Sequence, residues 1–159
     1  MKRWIKTILI LPFNVLIVIP CILLFVSNYK YSSFSITRFI VGLLPLSLGT
    51  VLAIWTMYLF KKVGVGTPAP WDPPRNLVIK GPYKIMRNPM ITGVLLILLA
   101  ESVLLGSKVI WYYTLIFFII NTIYFKLYEE KTLIEKFGTE YLKYKQTTPM
   151  WGIKLKRIK

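Results

Sequence analysis

Two short polar clusters carry most of the chemistry in this sequence. Gly81-Pro82-Tyr83-Lys84-Ile85-Met86-Arg87-Asn88-Pro89 and Tyr128-Glu129-Glu130 bracket a mostly apolar stretch interrupted at Gly106-Ser107-Lys108. A hairpin of two membrane helices would bring both clusters to one membrane face. There an arginine, a pair of carboxylates and a turn with free backbone amides can converge on a small zwitterionic ligand. Each residue also has a plainer reading. Glu129 and Glu130, set between Lys126 and Lys131, suit a solvated interfacial salt-bridge cluster as well as an acceptor pair for a cationic group. Arg87 suits snorkelling to lipid phosphates as well as a bidentate grip on a carboxylate.

The surrounding elements must be membrane helices. Hydrophobic residues make up 55% of the chain, histidine is absent and the formal charge is +15, which excludes both a disordered basic tail and a conventional soluble core. Ile8 to Val26, Phe39 to Phe60, Met90 to Leu105 and Val109 to Tyr124 are each apolar enough to enter a hydrocarbon layer of roughly 30 Å. The expected fold is an all-α integral membrane protein with about four transmembrane helices, a C-terminal helical hairpin and an amphipathic interfacial helix. It forms one domain, with two spans in residues 1–62 and the polar clusters in residues 63–159. The first run follows Lys2, Arg3 and Lys6, but it is long for a cleaved signal and is read as a retained helix.

With a cytoplasmic amino terminus the basic residues sort inward, leaving only Lys30, Arg38 and Lys108 outside. The expected setting is therefore a prokaryotic cytoplasmic membrane, with both termini and the polar clusters on the cytoplasmic side. The charge then serves topology and attraction to anionic head groups, not nucleic acid. Nothing in the sequence calls for an obligate protein partner. Cys21 is the only cysteine, so no disulfide can close within one chain, and without histidine no metal site of the common zinc or haem type is expected.

Pro12 and Pro20 interrupt the first span, while Gly42, Pro45 and Gly49 in the second suit kinks and close helix packing. Gly64 to Asn76 is a Pro/Gly-rich loop, with Trp71 expected at head-group level, and Leu77 to Lys80 a short extended run. Asn88 as cap and Pro89 at the first helical position start the third helix, whose dipole and free amides favour a carboxylate. Glu129 to Gln146 reads as a surface helix with Leu133, Ile134, Phe137, Tyr141 and Leu142 on its apolar side and a break or bend at Gly138. Glu101, inside the third span, is expected to pair with Lys108 or to hydrogen-bond a neighbouring helix. Its other reading is a functional intramembrane carboxylate.

The run from Gly81 to Gly93, with Leu-Tyr-Glu-Glu at 127–130 and Phe-Gly-Thr-Glu-Tyr-Leu-Lys-Tyr at 137–144, resembles the isoprenylcysteine carboxyl methyltransferase and phospholipid methyltransferase superfamily. The resemblance covers the chain from Gly64 onward. It implies a membrane enzyme that takes S-adenosyl-L-methionine from the cytoplasmic side and a lipid-like substrate from the bilayer, with residues 63–159 as the cofactor-binding half. Carried over by position, it implies that Val78, Ile79, Gly81, Pro82 and Tyr83 lie along the cofactor, together with Asn88, Pro89 and Glu129. Arg87 and Glu130 are the implied catalytic pair, and Gly64-Val65-Gly66 is a weaker counterpart of a Gly-x-Gly element. Asn88 stands where the family usually has histidine, and asparagine cannot be a general base. That departure favours O-methylation of an already ionised carboxylate, such as an isoprenylcysteine-like one, over phospholipid N-methylation. A nicotinamide-dependent enone or sterol reductase and a small four-helix transporter are the other readings.

Overall fold

The computed structural model describes residues 9–30, 35–65 and 74–152. The basic flank at Lys2, Arg3 and Lys6, Gly66, Trp71 and the residues after Gly152 lie outside this set, so the expectations placed on them stand as sequence readings. Every regular element among the described residues is helical. Helix α1 (Ile19–Val26) carries Pro20 in its first turn and follows a stretch of wider π-type winding, Leu9–Val18, that contains Pro12. The proline thus reshapes the helix without ending it.

Helix α2 (Ile36–Leu59) starts at Ser35, whose hydroxyl accepts from the Arg38 amide, and runs through Pro45 into a wider turn, Phe60–Gly64. A 3-10 turn at Gly81–Lys84 leads to α3 (Pro89–Leu105). Gly106, at φ 64°, ends α3, and Ser107 then caps α4 (Lys108–Tyr124) by accepting from the Ile110 amide. The predicted hairpin is therefore present, with its fold-back where glycine and serine stand. Helix α4 continues through another wider turn, Phe125–Glu129, into α5 (Glu130–Thr147).

Two of these helices, Ile36–Gly64 and Lys108–Thr147, are long and apolar enough to cross a membrane, and Pro12–Val26 and Pro89–Leu105 are shorter apolar helices. Their outward faces carry large apolar side chains, among them Leu44, Val51, Ile54, Ile116 and Ile120. In water so much exposed apolar surface is costly; in hydrocarbon it is neutral, so these faces belong against lipid. Polar residues inside the helices spend their hydrogen bonds locally. The hydroxyls of Thr50, Thr56 and Thr114 each donate to the carbonyl one turn earlier at 2.8 Å, and Asn121 does the same through its amide.

Helix α3 is the inner one, with Leu98 and Ala100 fully buried. It crosses α2 so closely that a Cβ added at Gly49 would lie 2.7 Å from the Gly93 carbonyl oxygen. The reciprocal Cβ at Gly93 would meet the Gly49 oxygen at 2.9 Å and the Ala53 amide at 3.0 Å. Backbone meets backbone there, so no side chain can give way. The close packing expected of Gly42 and Gly49 is present, Gly42 seating Leu104.

Two expectations are corrected. Asn88 occupies the position before Pro89 but its side chain makes no capping bond, because its backbone (φ -119°, ψ 53°) lies outside the extended conformation of a normal cap. Glu101 forms no ion pair with Lys108 among the described residues. Lys108 opens α4 beyond the Gly106 turn, whereas Glu101 lies more than a turn inside α3, beside Tyr113.

Candidate functional site

At the end of the bundle where α3 begins and α4 runs into α5, a cavity of about 210 Å³ opens. Its polar wall contains Arg87, Asn88, Glu129 and Glu130, so the two sequence clusters do meet. Its apolar wall comes from Phe60, Leu77, Val78, Ile91, Phe125 and Leu133, among others. The local sequence explains this convergence. Pro82 and Pro89 force two tight changes of direction around Arg87, and the wider turn before Glu130 changes the pitch at which the paired acids leave α4.

Of the residues singled out from the sequence, Val78, Tyr83, Arg87, Asn88, Glu129 and Glu130 line the cavity, and Ile79, Gly81, Pro82 and Pro89 do not. Three of them, Gly81, Pro82 and Pro89, are packed behind its wall. Gly81 adopts φ 55° and packs against Trp55 and Leu59, where a Cβ would come within 3.0 Å of the indole. Pro82 and Pro89 are buried. Gly64 accepts from the amides of Arg75 (2.7 Å) and Asn76 (3.2 Å) and backs onto Pro74 and Val78 of the cavity wall.

Arg87 and Glu130 form a buried ion pair through Nη1 and Oε1. The second oxygen of Glu130 lies 2.6 Å from Lys145 Nζ. Glu130 therefore answers to Arg87 and Lys145, not to the adjacent Lys126 and Lys131 of the plain salt-bridge reading. Arg87 Nη1 also lies 3.4 Å from the Tyr141 hydroxyl, and its backbone amide donates to the Pro149 carbonyl at 2.9 Å. Tyr144 donates to the Tyr83 carbonyl at 2.6 Å, tying α5 to the turn before Arg87.

Tyr141, Tyr144, Lys145 and Pro149 were not among the residues picked from the sequence as site groups. Tyr141 and Tyr144 are three apart and so share a helix face, a signal that a strictly apolar stripe conceals. The second half of α5 is also redirected at Gly138, whose φ of 53° and ψ of -127° are non-helical. Leu133, Ile134 and Phe137 are partly buried and Tyr141 is buried as expected, but Leu142 is exposed, because this kink turns the face that carries Tyr144 inward.

Two polar groups are left over. Arg87 Nε is buried and has no hydrogen-bond partner. Glu129 forms no ion pair or hydrogen bond among the described residues; burial, and then the charge of Glu130, push its carboxyl up to about 7. Burial also raises Tyr83, Tyr141 and Tyr144, Arg87 opposing the shift in the last two. All three phenols stay protonated and are no bases; Tyr144 donates to the Tyr83 carbonyl, and the Tyr141 hydroxyl accepts from Arg87.

Residues 37–140 match the family described as phospholipid methyltransferase, which covers well over half of the chain and includes every cavity residue except Tyr141 and Tyr144 of α5. No curated protein and no solved structure matches the chain.

Proposed function

Because the chain belongs to the phospholipid methyltransferase family, and so to the membrane methyltransferases, we propose that it moves a methyl group from S-adenosyl-L-methionine to the carboxylate of a lipid-like acceptor. One observation carries the reading. The cavity is lined by a guanidinium, that of Arg87, and by an unpaired carboxyl of near-neutral pKa, that of Glu129, the complement of an amino-acid zwitterion. When bound, the cofactor supplies an electrophilic sulfonium methyl. Arg87 and the uncapped Asn88 amide would hold its carboxylate, and ionised Glu129 would hold its ammonium. Val78, Tyr83 and the surrounding apolar wall keep water away from the methyl, and Gly81, Pro82, Ile79 and Pro89 hold that wall in shape.

The same assignments bear on the acceptor. Glu130 is held by two cations, Glu129 is committed to the ammonium and the phenols remain protonated, so no base is left to strip an amine. An acceptor that arrives already ionised needs none, which favours an isoprenylcysteine-like, isoprenoid or fatty carboxylate. Phospholipid N-methylation is the second reading, and the near-neutral carboxyl of Glu129 favours it, since such a group can accept a proton. Family membership favours either over the reductase and transporter alternatives.

Transfer of labelled methyl from S-adenosylmethionine to a total lipid extract tests the proposal. Base-labile label released as methanol supports ester formation, base-stable label supports N-methylation, and no transfer by folded protein rejects both. The membrane arrangement proposed with it has four spans, both termini and the cavity on the cytoplasmic side, and basic residues against anionic head groups. In a Cys21→Ala background, an impermeant maleimide should label Lys108→Cys, which is exposed, but not Lys136→Cys in intact cells; the reverse pattern refutes this orientation. Activity in vesicles should rise with the anionic lipid fraction and fall with salt.

A further inference from the structure

A wall that only has to exclude water can be aliphatic throughout, and part of this cavity is, at Leu77, Val78, Ile91 and Leu133. The rest is different. Six of its seventeen lining residues are aromatic, in a chain that is 15% aromatic, so the rings form a distinct part of the wall. Four of them make two tilted pairs: Phe60 with Tyr83, centroids 5.6 Å apart at 55°, and Tyr124 with Phe125, 5.8 Å apart at 62°. The first pair comes from the wider turn after α2 and the 3-10 turn before Arg87. The second comes from the junction of α4 with the wider turn that leads to Glu129.

Both tyrosines belong to the Glu129 end of the cavity. The charge of that carboxyl reaches the hydroxyls of Tyr83 and Tyr124, whereas the Tyr141 hydroxyl accepts from Arg87 at 3.4 Å. An acid with no cation of its own, set beside electron-rich rings, suits an onium group, because the ring quadrupole attracts positive charge without having to hydrate it. We propose that Tyr83 and Tyr124, backed by Phe60 and Phe125, seat the sulfonium of the bound cofactor. The inference rests on the functional reading above and deepens it. Two methylenes link that sulfur to the carbon bearing the ammonium, so a cofactor anchored at Glu129 carries its sulfonium to the rings beside that acid. The seat tells the charged donor from the spent one. Once the methyl has passed to the acceptor oxygen and sulfur has kept the bonding pair, the thioether left behind is neutral, and the rings no longer hold it by its charge.

The test is calorimetric titration in an uncharged maltoside detergent with S-adenosylmethionine and with the neutral thioether S-adenosylhomocysteine. Tyr83 is 6% exposed and Tyr124 38%, so the first ring acts in the drier place and should contribute more. Tyr83→Leu should weaken S-adenosylmethionine about tenfold and Tyr124→Leu about threefold, each leaving the thioether unchanged. Tyr83→Phe and Tyr124→Phe, which keep the ring, should keep the wild-type affinity. Should Tyr83→Leu fail to fold, Tyr124→Leu at the exposed ring carries the test. Equal weakening of both ligands marks lost packing and overturns the proposal, as does no change in either. Unchanged preference for the sulfonium, with weaker binding of a choline-headed lysolipid, gives the rings to the acceptor and overturns it too. Failure of the wild type to bind either cofactor form removes the functional reading itself, a distinct result.

Discussion

The α2–α3 crossing and the cavity end of the bundle hold together by opposite means. At the crossing, Gly49 and Gly93 let two backbones touch, and the buried hydroxyls of these two helices, Thr56 and Ser102, bond their own helices. At the cavity, adhesion runs through named polar groups. Arg87 bridges Glu130 and Pro149, Lys145 joins Glu130 within α5, and Tyr144 ties α5 to Tyr83, while Arg87 Nε and Glu129 stay uncommitted. A scaffold in hydrocarbon needs only shape, because lipid competes weakly for contacts between helices. A site must keep some polar capacity in reserve, and the two unsatisfied groups are where that reserve lies.

Perturbing each region should therefore give different signatures. The largest effect is expected for Arg87→Met, which leaves Glu130 buried with Lys145 alone; breaking such a pair costs about 3–5 kcal/mol. Methyl transfer should vanish, and thermal unfolding in detergent should show the loss of stability. Retained turnover would remove Arg87 from the site. Next, Gly93→Ala drives a methyl into the Gly49 carbonyl and the Ala53 amide and should cost about 1–3 kcal/mol of overpacking. Purified folded protein should keep its cofactor affinity, separating scaffold from site; a selective loss of affinity at full stability would merge them.

A third effect is pH dependence. Glu129 must be ionised to hold an ammonium, and its carboxyl titrates at about 7. Cofactor affinity should be low below that pH, rise through it by about tenfold between roughly pH 6 and 8, and level off above, until the ligand's own amine deprotonates. Glu129→Gln should flatten the profile. The sign for folding is the reverse: a carboxyl raised above its unfolded value favours the native state at low pH and penalises it as pH rises from the ordinary carboxylate range to about 7. The smallest effect is Tyr144→Phe, which removes the 2.6 Å bond to the Tyr83 carbonyl and should cost about 1 kcal/mol. It should loosen α5 from the Arg87 turn, read as faster amide exchange in α5 than at the α2–α3 crossing.

Much of this was legible in the residues. Long apolar runs, Gly106-Ser107 between two of them, and proline after Asn88 sufficed for the helices and the hairpin, and a hairpin necessarily returns Glu129 and Glu130 to the level of Arg87. The assignment of partners was not legible. Lys126 and Lys131 are nearer to the acids in sequence than Lys145, yet Lys145 holds Glu130, because the wider turn at Phe125–Glu129 and the reversal at Gly138 set the direction of each later side chain. The missing cap at Asn88 and the unpaired Glu101 have the same origin, since both depend on backbone angles and offsets that residue types do not fix.

By itself, then, the sequence determined that this is a helical membrane protein with acids and an arginine at one end of a hairpin, since hydrophobic length and turn chemistry are local properties. Only the tertiary structure decided that Glu130 is shared between Arg87 and Lys145, that Glu129 is left without a partner, and that Arg87 keeps a donor unspent. The physical reason is that hydrogen bonds and ion pairs require groups to meet within about 3 Å, and the non-helical backbone at Gly138 together with the wider turn before Glu130 decides which groups do.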